Sequence, residues 1–345
     1  MLSLLRRAVI VLILVLGMIW LGLLAFVRFV GRPDIWWLEI LDTFALYAFA
    51  PFVGVVLAAA IVRSRSLAVL AAAAALLFGI EFGSLLLPRT PPTEASGPHL
   101  KVLTYNVLAT NRDPDPLLGL VRAERPDVVV LQELTAPYAN RLRAQLADEY
   151  RFSVVDGVQS RNAGGGVFSR LPIVDHEAFR LTNGGNVHQR VRLRTEAGVV
   201  WLVNVHLLSP RLEARRLARG RLVVPRDFHD ERRDEELDRL VAEVRKLDGP
   251  FVLAGDLNTA AGSRPNRRFP DSWRDAYREA GEGFGHTFPT EQWLLGGRVW
   301  VPFPLVRIDY VLTSPELTPR SARVPWIPGS DHLPVIADLA LPSSR

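Results

Sequence analysis

Polar residues recur at one kind of position between residues 100 and 342: each follows directly after a run of apolar, strand-like residues. The set combines carboxylates and amides with two histidines, and no hydroxyl or thiol nucleophile occupies a matching position. Oxygen ligands suit a hard divalent cation such as Mg²⁺, and histidine suits acid–base catalysis. Because strand ends converge at a sheet edge, we expect one shared site. Its members are Asn106, Glu133, Asn204, His206, Asp256, Asn258, Asp309, Asp331 and His332.

Each of these residues also has a purely structural interpretation when it is taken alone. An Asn after a strand is a common turn former, and the GDLN run at 255–258 could be an Asx-rich turn. His206 could be a hydrogen-bonded polar residue near a strand end, and Asp309 could simply pair with Arg307. The functional interpretation therefore depends on the whole set and its order along the chain.

The segments around these residues alternate between strand-like and helical patterns, which predicts one α/β domain. Residues 227–247 carry an apolar stripe with a period of 3.6 residues, typical of an amphipathic helix, and 116–126 form a second, shorter helix. The predicted strands are 100–107, 127–134, 165–171, 199–208, 250–258, 307–313 and 332–341.

Six short motifs in this region resemble those of the endonuclease/exonuclease/phosphatase superfamily, which shares a DNase I-like fold. They are TYNV (104–107), LQE (131–133), NVHL (204–207), GDLN (255–258), RIDYVL (307–312) and SDHLPV (330–335). The resemblance implies a four-layer α/β sandwich, with two mixed β-sheets packed face to face and helices outside. It also implies hydrolysis of a phosphoester or phosphoanhydride with Mg²⁺ or Mn²⁺.

The resemblance also implies a role for each matching residue. Glu133 would be the main metal ligand, with Asn106 beside it, and Asp331 would complete the metal site. His332 would act as general base, held in its tautomer by Asp309. The remaining members would contact substrate: Asp256 and Asn258 would orient the attacking water and a phosphoryl oxygen, Asn106 would lie beside them, and His206 would protonate the leaving oxygen. We assign no acid partner to His206 from the sequence.

Composition excludes several classes of function. The 345 residues include no cysteine, which rules out disulfides, Cys-ligated metals and a Cys nucleophile. The net charge is +5, but residues 1–89 hold seven Arg and four acids, so residues 90–345 carry only +2 (34 basic minus 32 acidic). A strongly basic footprint for nucleic acid is therefore missing from the predicted catalytic domain, 100–342.

Hydrophobicity is concentrated in residues 1–90, which we interpret as an all-α transmembrane segment of about three helices. The spans are predicted near 8–27, 43–62 and 67–87, and the first has 20 uncharged residues, about 30 Å of helix. A cleaved signal peptide is the alternative for the first span, but its apolar run is longer than signal peptides use. Pro51 interrupts the second span and Glu81 the third.

Orientation follows from the arginines that flank the spans. An inside N-terminus places Arg6, Arg7, Arg63 and Arg65 in the cytoplasm and leaves three arginines outside. Three spans then put the catalytic domain, which follows a Pro-rich linker at 91–99, on the outer face of the cell membrane. Two spans would invert this result.

The superfamily hydrolyses many different phosphate compounds, so the motifs alone do not identify the substrate. The substrate must be inferred from the features that are unusual in this chain. The membrane anchor and a resemblance to membrane-anchored glycopeptide-resistance proteins favour a lipid-linked phosphate or pyrophosphate in the bilayer. The alternatives are an extracytoplasmic nuclease, a sphingomyelinase or phospholipase C-type phosphodiesterase, and an inactive membrane-bound interaction module. No protein partner is predicted.

Two further segments leave their role open. The apolar, aromatic run at 293–305 could be a lip that dips into the membrane interface, or a buried hairpin. Six arginines between 211 and 226 could bind a pyrophosphate or anionic lipid headgroups, or could form a solvated helix face.

Overall fold

The computed structural model describes residues 2–30, 35–86, 98–158, 164–217, 222–294 and 299–342. Contacts between residues divide the chain into two units, Met1–Leu87 and Pro88–Arg345, which we describe separately. Most of the predicted linker, residues 91–97, lies outside the described residues.

The first unit is helical. Three of its segments are long and apolar enough to cross a membrane, namely Leu4–Phe29, Ala45–Val62 and Arg65–Gly83. Pro51 lies in the first turn of a helix, where proline costs no hydrogen bond, so the second predicted span consists of two consecutive helices. The helices are α1 (Leu2–Phe29), α2 (Trp36–Thr43), α3 (Ala45–Ala48), α4 (Ala50–Val62) and α5 (Arg65–Leu86).

Helices α1 and α5 run in the same direction, and α1 makes a polar contact with the rest of the unit at each of its ends. At one end the Arg6 guanidinium donates to the carbonyl of Val62, at the end of α4. At the other end Arg28 lies 3.8 Å from Glu81, so this acid forms an ion pair inside the helical unit. The first residues of α1 and the turn between α4 and α5 therefore share one end of the unit.

The second unit contains two mixed sheets of six strands each. The strands are β1 (His99–Asn106), β2 (Val128–Leu134), β3 (Phe152–Asp156), β4 (Gly164–Ser169), β5 (Ile173–Phe179), β6 (His188–Thr195), β7 (Gly198–His206), β8 (Arg211–Leu217), β9 (Leu222–His229), β10 (Phe251–Asp256), β11 (Arg274–Asp275), β12 (Gln292–Leu294), β13 (Val299–Val301), β14 (Asp309–Thr313), β15 (Thr318–Arg323) and β16 (Val335–Ala340). The first sheet has the order β15-β16-β1-β2-β4-β3 and the second has the order β11-β14-β10-β7-β6-β5.

The helices of this unit are α6 (Asp115–Glu124), α7 (Ala136–Leu146), α8 (Glu231–Val244) and the short α9 (Ala276–Ala280). Apolar residues of both sheets share one buried core. Helices α6 and α7 pack on the outer face of the first sheet, and α8 packs on the outer face of the second. The order helix, sheet, sheet, helix is the predicted four-layer sandwich of the DNase I-like fold, and the prediction is confirmed.

Strand pairing brings the predicted site residues to one end of the sandwich. β10 lies between β7, to which it is parallel, and the antiparallel β14, so Asp256 is directly opposite His206 on one side and Asp309 on the other. Gly255 permits this close pairing, because a Cβ there would lie 1.9 Å from the carbonyl oxygen of Val205. In the first sheet β1 and β2 are parallel, and Asn106 pairs with Gln132.

One segment differs from the sequence predictions, and a second is open to two interpretations from the sequence. The helix predicted from residue 227 begins at Glu231, because 222–229 form strand β9, which pairs with β8 in a two-stranded hairpin. The described parts of the arginine-rich run, 211–217 and 222–226, therefore lie on β8 and β9 rather than on a helix, and 218–221 lie outside the described residues. In the aromatic run at 293–305, where a lip and a buried hairpin are the alternatives, the described strands β12 and β13 pair as a hairpin, and Trp300 is 44% exposed and Phe303 58% exposed.

Candidate active site

The carboxylate of Asp256 lies at the centre of the predicted site and is almost fully buried. Its Oδ2 atom accepts hydrogen bonds from the side-chain amides of Asn106 (3.1 Å) and Asn258 (3.3 Å). The same oxygen lies 3.6 Å from Nε2 of His206 and 3.7 Å from Nε2 of His332. One carboxylate oxygen thus faces two amides and two imidazoles, and it joins the ends of β1, β7 and β10.

Glu133 lies at an irregularity of β2. The register between β2 and β4 shifts between Leu131 and Leu134, and Glu133 has a left-handed backbone with φ of 54°. Such a conformation costs free energy in a residue with a side chain, and it is concentrated at functional sites. The Glu133 carboxylate accepts hydrogen bonds from Asn106 Nδ2 (3.1 Å) and the backbone N–H of Ala109 (2.9 Å).

His332 and Asp309 form a buried pair, with 2.9 Å between Nδ1 and Oδ2. The Asp309 carboxylate is fully buried, and its Oδ1 atom has no hydrogen-bond partner among the described residues. Asp309 does not pair with Arg307. The Arg307 guanidinium instead makes two hydrogen bonds to Asp275, at 2.9 and 2.6 Å, on the far side of the strand.

Asp331 and Asn258 also belong to the predicted set, whereas its member Asn204 is buried away from this cluster and hydrogen-bonds Gln132 and Gln189. Asp331 accepts a 3.4 Å hydrogen bond from the hydroxyl of Ser330. Asn258 has a left-handed backbone, with φ of 48°, and its N–H donates to Asp256 Oδ1 at 2.9 Å. Its side chain also donates to the carbonyl of Leu207, just after His206, at 2.9 Å. The GDLN motif is therefore an Asx-type turn and a member of the site at once.

Burial and charge shift the ionisable groups of the site in opposite directions. Burial raises the pKa of Asp256 and of Asp331. Burial acts in the same direction on Glu133, but its pKa is lowered, because His206 and the hydrogen bonds from Ala109 and Asn106 stabilise the charged form.

The pKa of His332 is raised by the carboxylates around it. Burial alone would lower its pKa, but Asp309 and Asp256 outweigh burial and raise the pKa to about 10. A cation bound to the carboxylates would compete with His332 for their negative charge and would lower its pKa. The surrounding carboxylates therefore favour the protonated form of the imidazole.

The donor set fits a divalent metal ion. Ligand atoms of Asp256, Asp309 and His332 all lie within 4.8 Å of one another, and the unpartnered Oδ1 of Asp309 is a buried acceptor. Carboxylate oxygens with one imidazole are a ligand set that Mg²⁺ and Mn²⁺ accept. The predicted ligands Glu133, Asn106 and Asp331 remain a prediction, and in this arrangement Asn106 turns its amide N–H groups toward the carboxylates.

Several residues that hold the site were not found from the sequence. Ser330 donates to the carbonyl of Asn106 at 2.8 Å and accepts from the N–H of His332 at 3.1 Å, tying the SDH loop to β1. His188 is fully buried and its Nδ1 accepts from the N–H of His206 at 3.3 Å. For Ser330 the sequence indicated a role only through its position beside Asp331. Nothing in the sequence indicated a role for His188.

Comparison with known proteins agrees with this geometry. The family model described as "Endonuclease/Exonuclease/phosphatase family" matches residues 103–332, a range that contains every predicted site residue. No curated protein matches the sequence significantly.

Three solved structures share the fold. An endonuclease/exonuclease/phosphatase from Beutenbergia cavernae is 25% identical over 72% of this chain and 72% of its own, with a TM-score of 0.50. One from Bacteroides vulgatus is 19% identical over 70% and 99%, with a TM-score of 0.53. D. rerio TDP2, in complex with a single-strand DNA product, is 17% identical over 70% and 98%, with a TM-score of 0.54.

The members of this family are generally metal-dependent phosphoester hydrolases, and the site described above has the carboxylates, amides and histidines that such chemistry uses. The family model covers two thirds of the sequence, and the two mixed sheets match the solved structures in fold. This chain belongs to the endonuclease/exonuclease/phosphatase family.

Proposed function

We propose that this protein is a membrane-anchored, divalent-metal-dependent phosphohydrolase that cleaves a lipid-linked phosphate or pyrophosphate at the outer face of the cell membrane. The observation that carries the proposal is the presence, in one chain, of a hydrolytic site and three helices apolar enough to cross a membrane. A hydrolase tethered to a bilayer meets lipid-linked substrates at a high effective concentration.

The site residues divide the chemistry between two sides of Asp256. On one side His332, oriented by Asp309, accepts the proton of the attacking water. On the other side His206 donates a proton to the leaving oxygen, its Nε2 being 3.6 Å from the same carboxylate. Asn258 contacts a phosphoryl oxygen. A divalent ion held by Glu133, with Asn106 and Asp331 as further ligands, would supply charge stabilisation for the transferred phosphoryl group.

Two features support a lipid rather than a nucleic acid as substrate. Residues 90–345 carry a net charge of only +2 (34 basic minus 32 acidic), whereas nucleic-acid sites neutralise many phosphates. The hairpin of β12 and β13 exposes Trp300, and Phe303 follows it; exposed aromatic side chains favour the membrane interface.

The same hairpin region is joined to the catalytic loop. The N–H of Thr290 donates to the carbonyl of Asp331 at 2.9 Å, and that of Leu333 donates to Thr287 at 2.8 Å. The Phe288 ring lies 4.7 Å from the His332 imidazole. The exposed aromatic side chains therefore belong to a segment that borders the proposed general base.

The orientation part of the proposal rests on the helical unit. Arg6 contacts the turn that carries Arg63 and Arg65, so these positive charges share one end of the unit. The positive-inside rule places that end in the cytoplasm. Helix α5 then ends on the opposite side, and the hydrolase unit follows it there.

A nuclease is the second candidate, because D. rerio TDP2 with its DNA product shares the fold. Full-length protein in detergent with Mg²⁺ separates the candidates when wild type and His332→Ala are assayed beside His176→Ala, which alters an exposed histidine. We expect phosphate release from undecaprenyl pyrophosphate that chelation and His332→Ala both abolish. Nicking of supercoiled DNA without phosphate release would favour the nuclease, and cleavage of sphingomyelin the phosphodiesterase. Inactivity of the wild type in all three assays would favour the interaction module.

A further inference from the structure

Helix α8 approaches the site from the outer face of the second sheet, and two buried charged residues lie in its first turns. Arg233 is 5% exposed and Glu236 is fully buried. Buried charges are costly unless each is hydrogen-bonded or paired. Their spacing of three residues places them on the same face of the helix.

Arg233 holds the loop that contains Asn258. Its guanidinium donates to the Asn258 carbonyl at 2.8 Å, and it is anchored by the carboxylates of Asp230 and Asp234. Asp234 is fixed in turn by Arg268 at 2.7 Å. Because Asn258 has a strained left-handed backbone, a charged hydrogen bond to its carbonyl helps to keep the residue in that conformation.

Glu236 holds the loop that follows His206. One carboxylate oxygen accepts from the backbone N–H of Leu208 at 2.8 Å, and the other accepts from the Thr182 hydroxyl at 2.6 Å. Gly185 lies against the same carboxylate, since a Cβ there would come within 2.2 Å of Oε1. Glu236 thus fixes the backbone two residues beyond the imidazole that faces Asp256.

We infer that Arg233 and Glu236 are positioning residues that set the separation between the Asn258 loop and the His206 loop, so that α8 acts on catalysis through the backbone of both. This inference rests on the proposed function for its kinetic consequence only. A displacement of about 1 Å in a group that positions substrate costs on the order of 100-fold in rate, and neither residue needs to contact substrate.

Neighbouring residues provide matched controls. Arg232 and Glu235 lie on the exposed face of the same helix, so Arg232→Met and Glu235→Gln remove the same charges without touching either loop. The test variants are Arg233→Met and Glu236→Gln, prepared in the full-length protein in detergent with Mn²⁺. Bis(p-nitrophenyl) phosphate is the probe, because it reports phosphodiesterase chemistry irrespective of the natural substrate.

We expect kcat to fall on the order of 100-fold in each test variant and less than about 3-fold in each control. A double-mutant cycle separates positioning from general destabilisation. In an Asn258→Ala background Arg233→Met should cost less than about 3-fold, because the Asn258 side chain that Arg233 is inferred to position is already absent, although the backbone carbonyl that Arg233 contacts remains. The corresponding cycle joins Glu236→Gln with His206→Ala. Additive effects in both cycles would overturn the inference.

Backbone hydrogen exchange gives a second readout that needs no activity. We expect Arg233→Met to speed exchange in 257–261 and Glu236→Gln to speed it in 207–210, with α8 itself as protected as in the wild type. Unchanged exchange in these loops, or faster exchange throughout α8, would overturn the inference. A wild-type protein inactive on every phosphoester would refute the proposed function, while these exchange results would still decide whether α8 positions the two loops.

Discussion

Acidification should destabilise this protein through one buried histidine, His188. Its side chain is fully buried, and burial lowers its pKa from 6.5 to about 3. The imidazole is therefore neutral in the folded protein, with Nδ1 accepting the N–H of His206. In the unfolded chain the same group has an ordinary pKa, so it takes up a proton near pH 6.5.

The sign and size of the effect follow from these two pKa values. Between pH 6.5 and pH 3 the unfolded state binds more protons than the folded state, so stability falls as the pH falls. Each pKa unit corresponds to about 1.4 kcal/mol. Between pH 7 and pH 5 the loss from His188 alone is about 2 kcal/mol. The contribution is fully present above pH 7.

The perturbation is His188→Asn, because the Asn side-chain oxygen can replace Nδ1 as acceptor and does not titrate. The assay is urea unfolding of the full chain in a mild detergent between pH 7.5 and pH 5, with the exposed His176→Asn as control. The stability difference between wild type and His188→Asn should narrow by about 2 kcal/mol on acidification. A difference that stays constant over this range would refute a neutral, buried His188.

Other consequences concern the site, the hairpin and the core. Asp309→Asn should reduce kcat on bis(p-nitrophenyl) phosphate by about 10² to 10⁴-fold, because the carboxylate that fixes the tautomer of His332 is lost. Activity within about 3-fold of wild type would contradict a role for Asp309 in orienting His332. Because the chain has no cysteine, a fluorophore on Phe303→Cys in proteoliposomes should be quenched by lipid-bound nitroxides, and one on Val174→Cys, also exposed, should not. Equal quenching at both would contradict membrane contact by the hairpin. Arg307→Lys should lower the free energy of unfolding by about 3 kcal/mol in urea unfolding, since a buried bidentate pair is broken; a loss below about 1 kcal/mol would contradict this.

Much of the fold could be predicted because the strands that carry the motifs are buried and apolar. The strands at 100–107, 127–134 and 250–258 were found within a few residues of β1, β2 and β10. Strand β5 was missed, since most of its residues are exposed and its sequence, IVDHEAF, lacks a clear alternation. The start of α8 was misplaced because the polar residues of 227–229 suit a first helical turn as well as the strand they occupy.

The site was predictable where residue type alone indicates chemistry, as for His332 and Asp256. It was not predictable where the role depends on a contact distant in sequence. Arg233 and Glu236 look like solvated positions in a highly charged helix, and only the packing of α8 reveals that both are buried. Likewise, the left-handed backbone of Glu133 comes from an irregular strand pairing that leaves no mark in the sequence.

Strands β8 and β9 form a two-stranded sheet of their own, separate from both six-stranded sheets, so the chain enters and leaves this hairpin at one end. Arg211 pairs with His229 at its base, and the bond between Glu236 and the N–H of Leu208 spans the two chain segments just outside it. The hydrogen bond between Glu236 and Leu208 lies outside the hairpin, so it holds the loop after His206 whatever the length of the hairpin. We therefore expect a change in the length or charge of this hairpin to leave the hydrolytic residues in place.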